Sequence, residues 1–179
     1  MIRLVKLTAD ECRIALDSLE DCQAFGELLA RYLPKRLPCT VGLVGTLGAG
    51  KTQLVKFIAQ ALGADPEDVV SPTFVLMHPI GTNPEIHHID AYRIQDSDEF
   101  LELGIEELFE QPVVTIIEWA DRFIECMPVN TLWIELVTQD PLSEQRTAML
   151  TNLNRLPHWQ EFLAQSLGDP RGDRPENPT

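Results

Sequence analysis

The run Gly45-Thr46-Leu47-Gly48-Ala49-Gly50-Lys51-Thr52 satisfies the phosphate-loop pattern G-x-x-x-x-G-K-[ST] at every fixed position. It constrains the fold more than any other stretch, because such a loop works only between a strand and a helix. Glycines let the backbone take positive φ and bring successive N–H groups to an anion that a Cβ would obstruct. The helix that follows aims its positive dipole end at the same point. Residues 40–44 form a short apolar segment leading into the first glycine. Leu54, Ile58 and Ala61 keep helical spacing across residues 51–62, with Gly63 beyond them. Strand, glycine loop and helix therefore follow in the required order. In such a loop Gly45, Thr46, Leu47, Gly48, Ala49 and Gly50 cradle phosphates through their amides. Lys51 bridges the β- and γ-phosphates, and the Thr52 hydroxyl ligates Mg²⁺.

Mg²⁺ keeps most of its waters and takes one or two protein oxygens, so a carboxylate is expected at the carboxyl end of a neighbouring strand. Residues 113–117 carry five consecutive strand formers, four of them apolar, which suits a central parallel strand buried on both faces. Glu118 ends that run. Asp90 ends a weaker extended stretch over residues 85–89, and either carboxylate could instead cap a helix or face solvent. Period-two geometry puts His88, Asp90 and Tyr92 on one face of that stretch and His87 on the other. This separation argues against a zinc site built from His78, His87 and His88, which also lacks an evident fourth ligand.

The other elements read as follows. Ile2, Leu4 and Leu7 open a strand, and residues 13–16 form a shorter one. Asp17-Ser18 supplies an N-cap, with Asp21 at the capping-box position, for an amphipathic helix carrying Cys22, Phe25, Leu28, Leu29, Tyr32 and Leu33 and stopped by Pro34. Residues 69–77 look extended and residues 97–103 helical up to Gly104. Leu132, Ile134 and Leu136 alternate with polar or bulky neighbours, Asp140-Pro141 interrupts, and residues 146–150 resume, which reads as an antiparallel hairpin. A last helix runs from Pro157 to Leu167. The chain is thus expected to be α/β and P-loop NTPase-like, with a mostly parallel central sheet flanked by helices and an antiparallel hairpin near the C-terminus. Residues 1–167 form one P-loop ATPase domain, and residues 168–179, without a hydrophobic side chain, form a disordered tail.

Charge restricts the partners. Fourteen Lys and Arg face 28 Asp and Glu, a formal charge of −14, which disfavours direct binding to nucleic acid or to an anionic membrane. Residues 85–126 hold 12 acidic residues against 2 arginines, so most of that excess is local: either a solvated face or a docking surface for a basic protein. A nucleoside triphosphate escapes the objection, since backbone donors, one lysine and a metal are all local to the loop. The four cysteines show no metal or framework spacing and read as reduced thiols. Neither a signal peptide nor a membrane span is visible, which points to the cytoplasm.

Read together, GTLGAGKT, Ser71-Pro72-Thr73-Phe74, His88-Ile89-Asp90-Ala91-Tyr92-Arg93 and Glu118-Trp119, with the acidic 98–104 stretch between them, resemble the TsaE family, also called YjeE, over residues 18–150. That resemblance implies an ATPase of the bacterial system that installs N6-threonylcarbamoyladenosine on adenosine 37 of tRNAs reading ANN codons. The ATPase would dock on a TsaD-TsaB heterodimer, support its repeated turnover and meet tRNA only indirectly. It implies ATP and Mg²⁺ as cofactors, with Thr52 and Glu118 on the metal and Asp90 orienting or deprotonating the attacking water, or assisting the metal. Residues 71–74, with Thr73 near the γ-phosphate, and residues 88–93 would be switch segments. Trp119 would pack on the nucleotide or a switch, or serve as a core aromatic. One departure stands out: Thr46 replaces the aspartate of the family's usual GDLGAGKT. Two other readings share the loop, a small-molecule kinase and a non-catalytic ATP-gated adaptor. Arg93 and Arg122 are the only arginines between residues 84 and 126, few for a kinase lid. No N-K-x-D motif supports a GTPase.

Overall fold

The computed structural model describes residues 2–67, 69, 76–138, 143–156 and 158–167. Eight strands form one sheet: β1 (Arg3–Leu7), β2 (Glu11–Leu16), β3 (Cys39–Val44), β4 (Met77–Ile80), β5 (Ile86–Asp90), β6 (Val114–Glu118), β7 (Leu132–Val137) and β8 (Arg146–Thr151). Their spatial order is β1-β2-β8-β7-β3-β6-β5-β4. The four central strands β7, β3, β6 and β5 run parallel. On one side β1, β2 and β8 continue from β7 as an antiparallel meander, and on the other β4 pairs antiparallel with β5. The expected parallel centre and C-terminal hairpin are both present. The hairpin is joined by the N-terminal strands, a pairing of residues more than a hundred positions apart that no local pattern announces.

Helices α1 (Leu19–Tyr32), α2 (Lys51–Ala61) and α5 (Trp159–Leu167) share the larger core with the sheet; α3 (Ser97–Glu102) and α4 (Ile105–Glu110) cover its opposite face. Strand β6 is buried throughout, with Val114 and Ile116 in one cluster and Ile117 in the other, as its unbroken apolar run predicts. By contrast β7 alternates: Leu132, Ile134 and Leu136 are buried, while Glu135 and Val137 are exposed. Helix α1 begins where the capping residues place it. Ser18 Oγ accepts from the Asp21 N–H at 3.3 Å, and the Asp21 carboxylate accepts from the Asp17 N–H at 3.1 Å. Gly26 lets α1 lie directly against α2, since a Cβ there would meet Phe57 Cβ at 2.6 Å.

The helix expected over residues 97–103 is α3, and a second short helix, α4, follows it because Gly104 takes a left-handed φ of 71° and redirects the chain. The six residues of α4 are too few to show a period. Most of the stretch over residues 69–77 lies outside the described residues. Strand β4 starts at its last residue and carries Pro79, tolerated because β4 is the sheet edge. Pro157 and the 168–179 tail also lie outside the described residues. All four cysteines are free thiols; burial pushes Cys12 and Cys39 up to about 12.

Candidate active site at the end of the parallel strands

Strand β3 delivers the chain into the glycine loop, and α2 opens at Lys51 with the Leu54 N–H bonded to the Gly50 carbonyl at 2.9 Å. The first N–H groups of α2 have no partner within the helix and face the loop. Gly48 and Gly50 have φ of 80° and 101°, and among the described residues no atom beyond the adjoining ones lies within 4 Å of where their Cβ atoms would be. The space is an open cradle that side chains would fill. Lys51 is buried, and its Nζ donates to the Gly45 and Thr46 carbonyls at 2.7 and 3.0 Å while lying 3.6 Å from the Trp119 ring centroid. Burial pushes this ammonium below its usual range, and the carboxylates of Glu118, Asp90 and Asp121 oppose that shift.

The metal candidates meet. Thr52 Oγ1 donates to Glu118 Oε2 at 2.9 Å, although 66 residues separate them. A hydroxyl and a buried carboxylate are the hard oxygen pair that suits Mg²⁺, and they sit beside an anion cradle, so these residues fit the ion. Asp90 ends β5 opposite Glu118 in the parallel register. Its Oδ1 accepts from the Tyr92 N–H at 3.1 Å, so it also caps the short turn over Ala91–Arg93. Trp119 follows β6 in a left-handed conformation, φ 60°, which turns its ring beneath Lys51 and within 5.0 Å of the Tyr92 ring. Together Gly48, Lys51, Thr52, Asp90, Glu118 and Trp119 line one cavity of about 440 Å³.

Thr73 and the rest of the 71–74 segment lie outside the described residues. Thr46 contributes its carbonyl to Lys51 and keeps its side chain in solvent. Leu47 is 78% exposed at the cavity mouth. Arg122, weighed as a lid arginine, donates to the Ala91 and Tyr92 carbonyls at 2.7 and 2.6 Å and so braces the turn after β5. The histidines part company: His87 reaches Glu85 at 2.7 Å, whereas His88 reaches Glu118 at 2.8 Å.

Sequence reasoning missed Arg146. From the start of β8 its Nε donates to the Ala49 carbonyl at 3.1 Å and its Nη2 to the Gly48 carbonyl at 3.5 Å, while Nη1 binds the Ser143 and Gln145 carbonyls. Tying loop carbonyls outward helps hold the loop amides inward. The only signal available was an arginine opening a half-buried strand, which needs partners from somewhere. Arg146 also lines a second, largely apolar cavity of about 220 Å³ with Leu16, Leu19, Cys22, Leu54 and Leu136. Gly50 and Gln53 border both cavities.

Comparison with known proteins gives the family and supports the fold. The family model for threonylcarbamoyl adenosine biosynthesis protein TsaE matches residues 16–148. The tRNA threonylcarbamoyladenosine biosynthesis protein TsaE of Rickettsia conorii is 35% identical over 162 residues, 89% of this chain and 87% of the relative. The protein of the same name from Treponema pallidum is 34% identical over 119 residues, 66% of this chain and 86% of the relative. The crystal structure of YdiB from Bacillus subtilis superposes with a TM-score of 0.67 at 24% identity, covering 93% of this chain and 97% of that one, which supports the fold.

Proposed function

Because the chain belongs to the TsaE family of threonylcarbamoyl adenosine biosynthesis proteins, we propose that it serves tRNA modification as an Mg²⁺-dependent ATPase acting on a TsaD-like and TsaB-like heterodimer. The observation that carries this reading is the convergence of Lys51, Thr52, Asp90 and Glu118 on one cavity at the end of the glycine loop. The loop amides and Lys51 hold the triphosphate, whose oxygens draw the ammonium away from the Gly45 and Thr46 carbonyls. Thr52 and Glu118 would hold Mg²⁺, which would neutralise charge on the phosphate oxygens. Asp90, with one oxygen held by the Tyr92 amide, keeps the other to orient a water or take its proton.

The apolar cavity takes the base. Gln53 follows Thr52 and borders both cavities, so a nucleotide whose phosphates sit in the loop reaches the second one without leaving the protein. About 220 Å³ suits a ring system rather than a drug-sized ligand. The Arg146 guanidinium, fixed by backbone carbonyls, offers a planar surface for stacking. No helix among the described residues is long and apolar enough to cross a membrane. A cytoplasmic location is part of the same proposal and follows from the proposed role in tRNA modification.

Phosphate release by the full chain tests the reading, measured alone, with the two partner proteins and with small-molecule acceptors. Slow release by the isolated chain, altered by the partners and absent in Lys51→Ala, is the expected result. ATP consumed only as an acceptor becomes phosphorylated would establish a kinase instead. Repeated tRNA modification with bound but uncleaved ATP would establish an adaptor.

A further inference from the structure

The mechanism above makes no use of His88. It lies on β5 two residues before Asp90 and is fully buried. Its Nε2 is 2.8 Å from Glu118 Oε1, while the other oxygen of that carboxylate accepts the Thr52 hydroxyl at 2.9 Å. An ionised carboxylate only accepts, so Nε2 bears the hydrogen in this bond. The second ring nitrogen, Nδ1, is buried with no hydrogen-bond partner among the described residues. A residue selected to fill space would not leave a ring nitrogen unpaired in a core, since leucine fills similar volume without that penalty. The gain from histidine here lies in its bond to Glu118.

That bond has a geometric consequence. With Oε1 tied to β5, the carboxylate cannot turn freely about its last torsion, and Oε2 is left facing Thr52. We propose that His88 is a positioning residue, which fixes Glu118 so that Oε2 and the Thr52 hydroxyl together face the divalent cation that accompanies the nucleotide. This inference rests on the metal–nucleotide reading given above. Mg²⁺ and Mn²⁺ demand well-placed oxygens, so a carboxylate free to rotate binds them less well. Hydrogen-bond partners of metal ligands alter affinity by about 10–100-fold when removed.

The test uses Mn²⁺ as probe, counted as free ion by its EPR signal, with the full chain and the non-hydrolysable analogue AMP-PNP. His88→Gln can place an amide nitrogen near the position of Nε2, whereas His88→Asn stops one methylene short. We expect H88N to lower Mn²⁺ affinity by about tenfold or more and H88Q to stay within about threefold of wild type. AMP-PNP affinity in EDTA should be the same in all three proteins. Wild-type Mn²⁺ affinity in H88N overturns the proposal, and so does an H88Q protein as weak as H88N, which would reduce His88 to packing. A second measurement needs no variant: the Nε2–H resonance of His88 should shift when Mg²⁺ joins the AMP-PNP complex, and an unmoved resonance also overturns the proposal. Wild-type protein that binds no AMP-PNP would instead bring down the nucleotide reading itself.

Discussion

The two halves of the sheet solve different problems. At the carboxyl ends of β3, β5 and β6, parallel strands bring Lys51, Thr52, Asp90 and Glu118 to one point, each from the end of a strand or the start of the helix after it. The antiparallel half, β1, β2, β8 and β7, buries one face against α1 and α5 and leaves residues such as Val5 and Val137 in solvent. Among the described residues it contributes no group to the phosphate cradle; it lines the proposed base cavity with Leu16, Leu136 and Arg146, and Arg146 holds the outer side of the loop. Parallel strands concentrate chemistry at one edge because all their carboxyl ends point the same way. A meander alternates its ends and lends support instead.

The contrast can be broken, beginning with the largest effect. Lys51→Ala should reduce ATP turnover by at least about 100-fold, because the cradle loses its one buried cation. Turnover within tenfold of wild type would mean that the parallel edge is not the reaction centre. Asp90→Ala should lower the hydrolysis rate by about 10²–10⁴-fold with nucleotide affinity within twofold, read by single-turnover kinetics beside equilibrium titration. A loss of affinity equal to the loss of rate would reassign Asp90 to binding. Arg146→Met probes the other half. Removing its charge-assisted bonds to the Gly48 and Ala49 carbonyls should weaken nucleotide binding about tenfold, equivalent to about 1.4 kcal/mol. Unchanged affinity would reduce Arg146 to a staple of its own hairpin.

Alkaline pH should act more gently. Burial lowers the Lys51 pKa in the free protein, and a bound triphosphate raises it, so binding takes up protons. Affinity is therefore full below the free-state value and falls as pH rises through the bound-state value, a slope that calorimetry in two buffers can check. Smallest of all, Val137→Thr on the exposed face of β7 should change stability by less than about 0.5 kcal/mol in denaturant melts and leave nucleotide affinity untouched.

Legibility followed the same divide. The loop, the buried run of β6 and the strand-ending carboxylates were readable because their residues are contiguous and their chemistry is dictated by type and order. The family name emerged from the same motifs. The role of Arg146 was not readable, since its partners in the glycine loop lie 97 and 98 residues away and a lone arginine carries no spacing. Nor was the bond between His88 and Glu118, which depends on β5 and β6 lying side by side in a register that leaves no local trace. The break at Gly104 was visible as a helix end but not as the start of another helix, because six residues cannot display a 3.6-residue period.

The left-handed turn at Trp119 gives the molecule an optical channel into its own site. With Lys51 Nζ 3.6 Å from the indole centroid, a positive charge sits against the face of a fluorophore. Trp159 is buried against Tyr32, 4.4 Å between ring centroids, and Trp133 packs over Gly42, so neither ring takes part in this lysine contact. A phosphate that draws the ammonium off Trp119 changes the field on that ring alone. In a Trp133→Phe, Trp159→Phe background, emission from the remaining indole would follow loading and emptying of the loop in real time, without a labelled nucleotide.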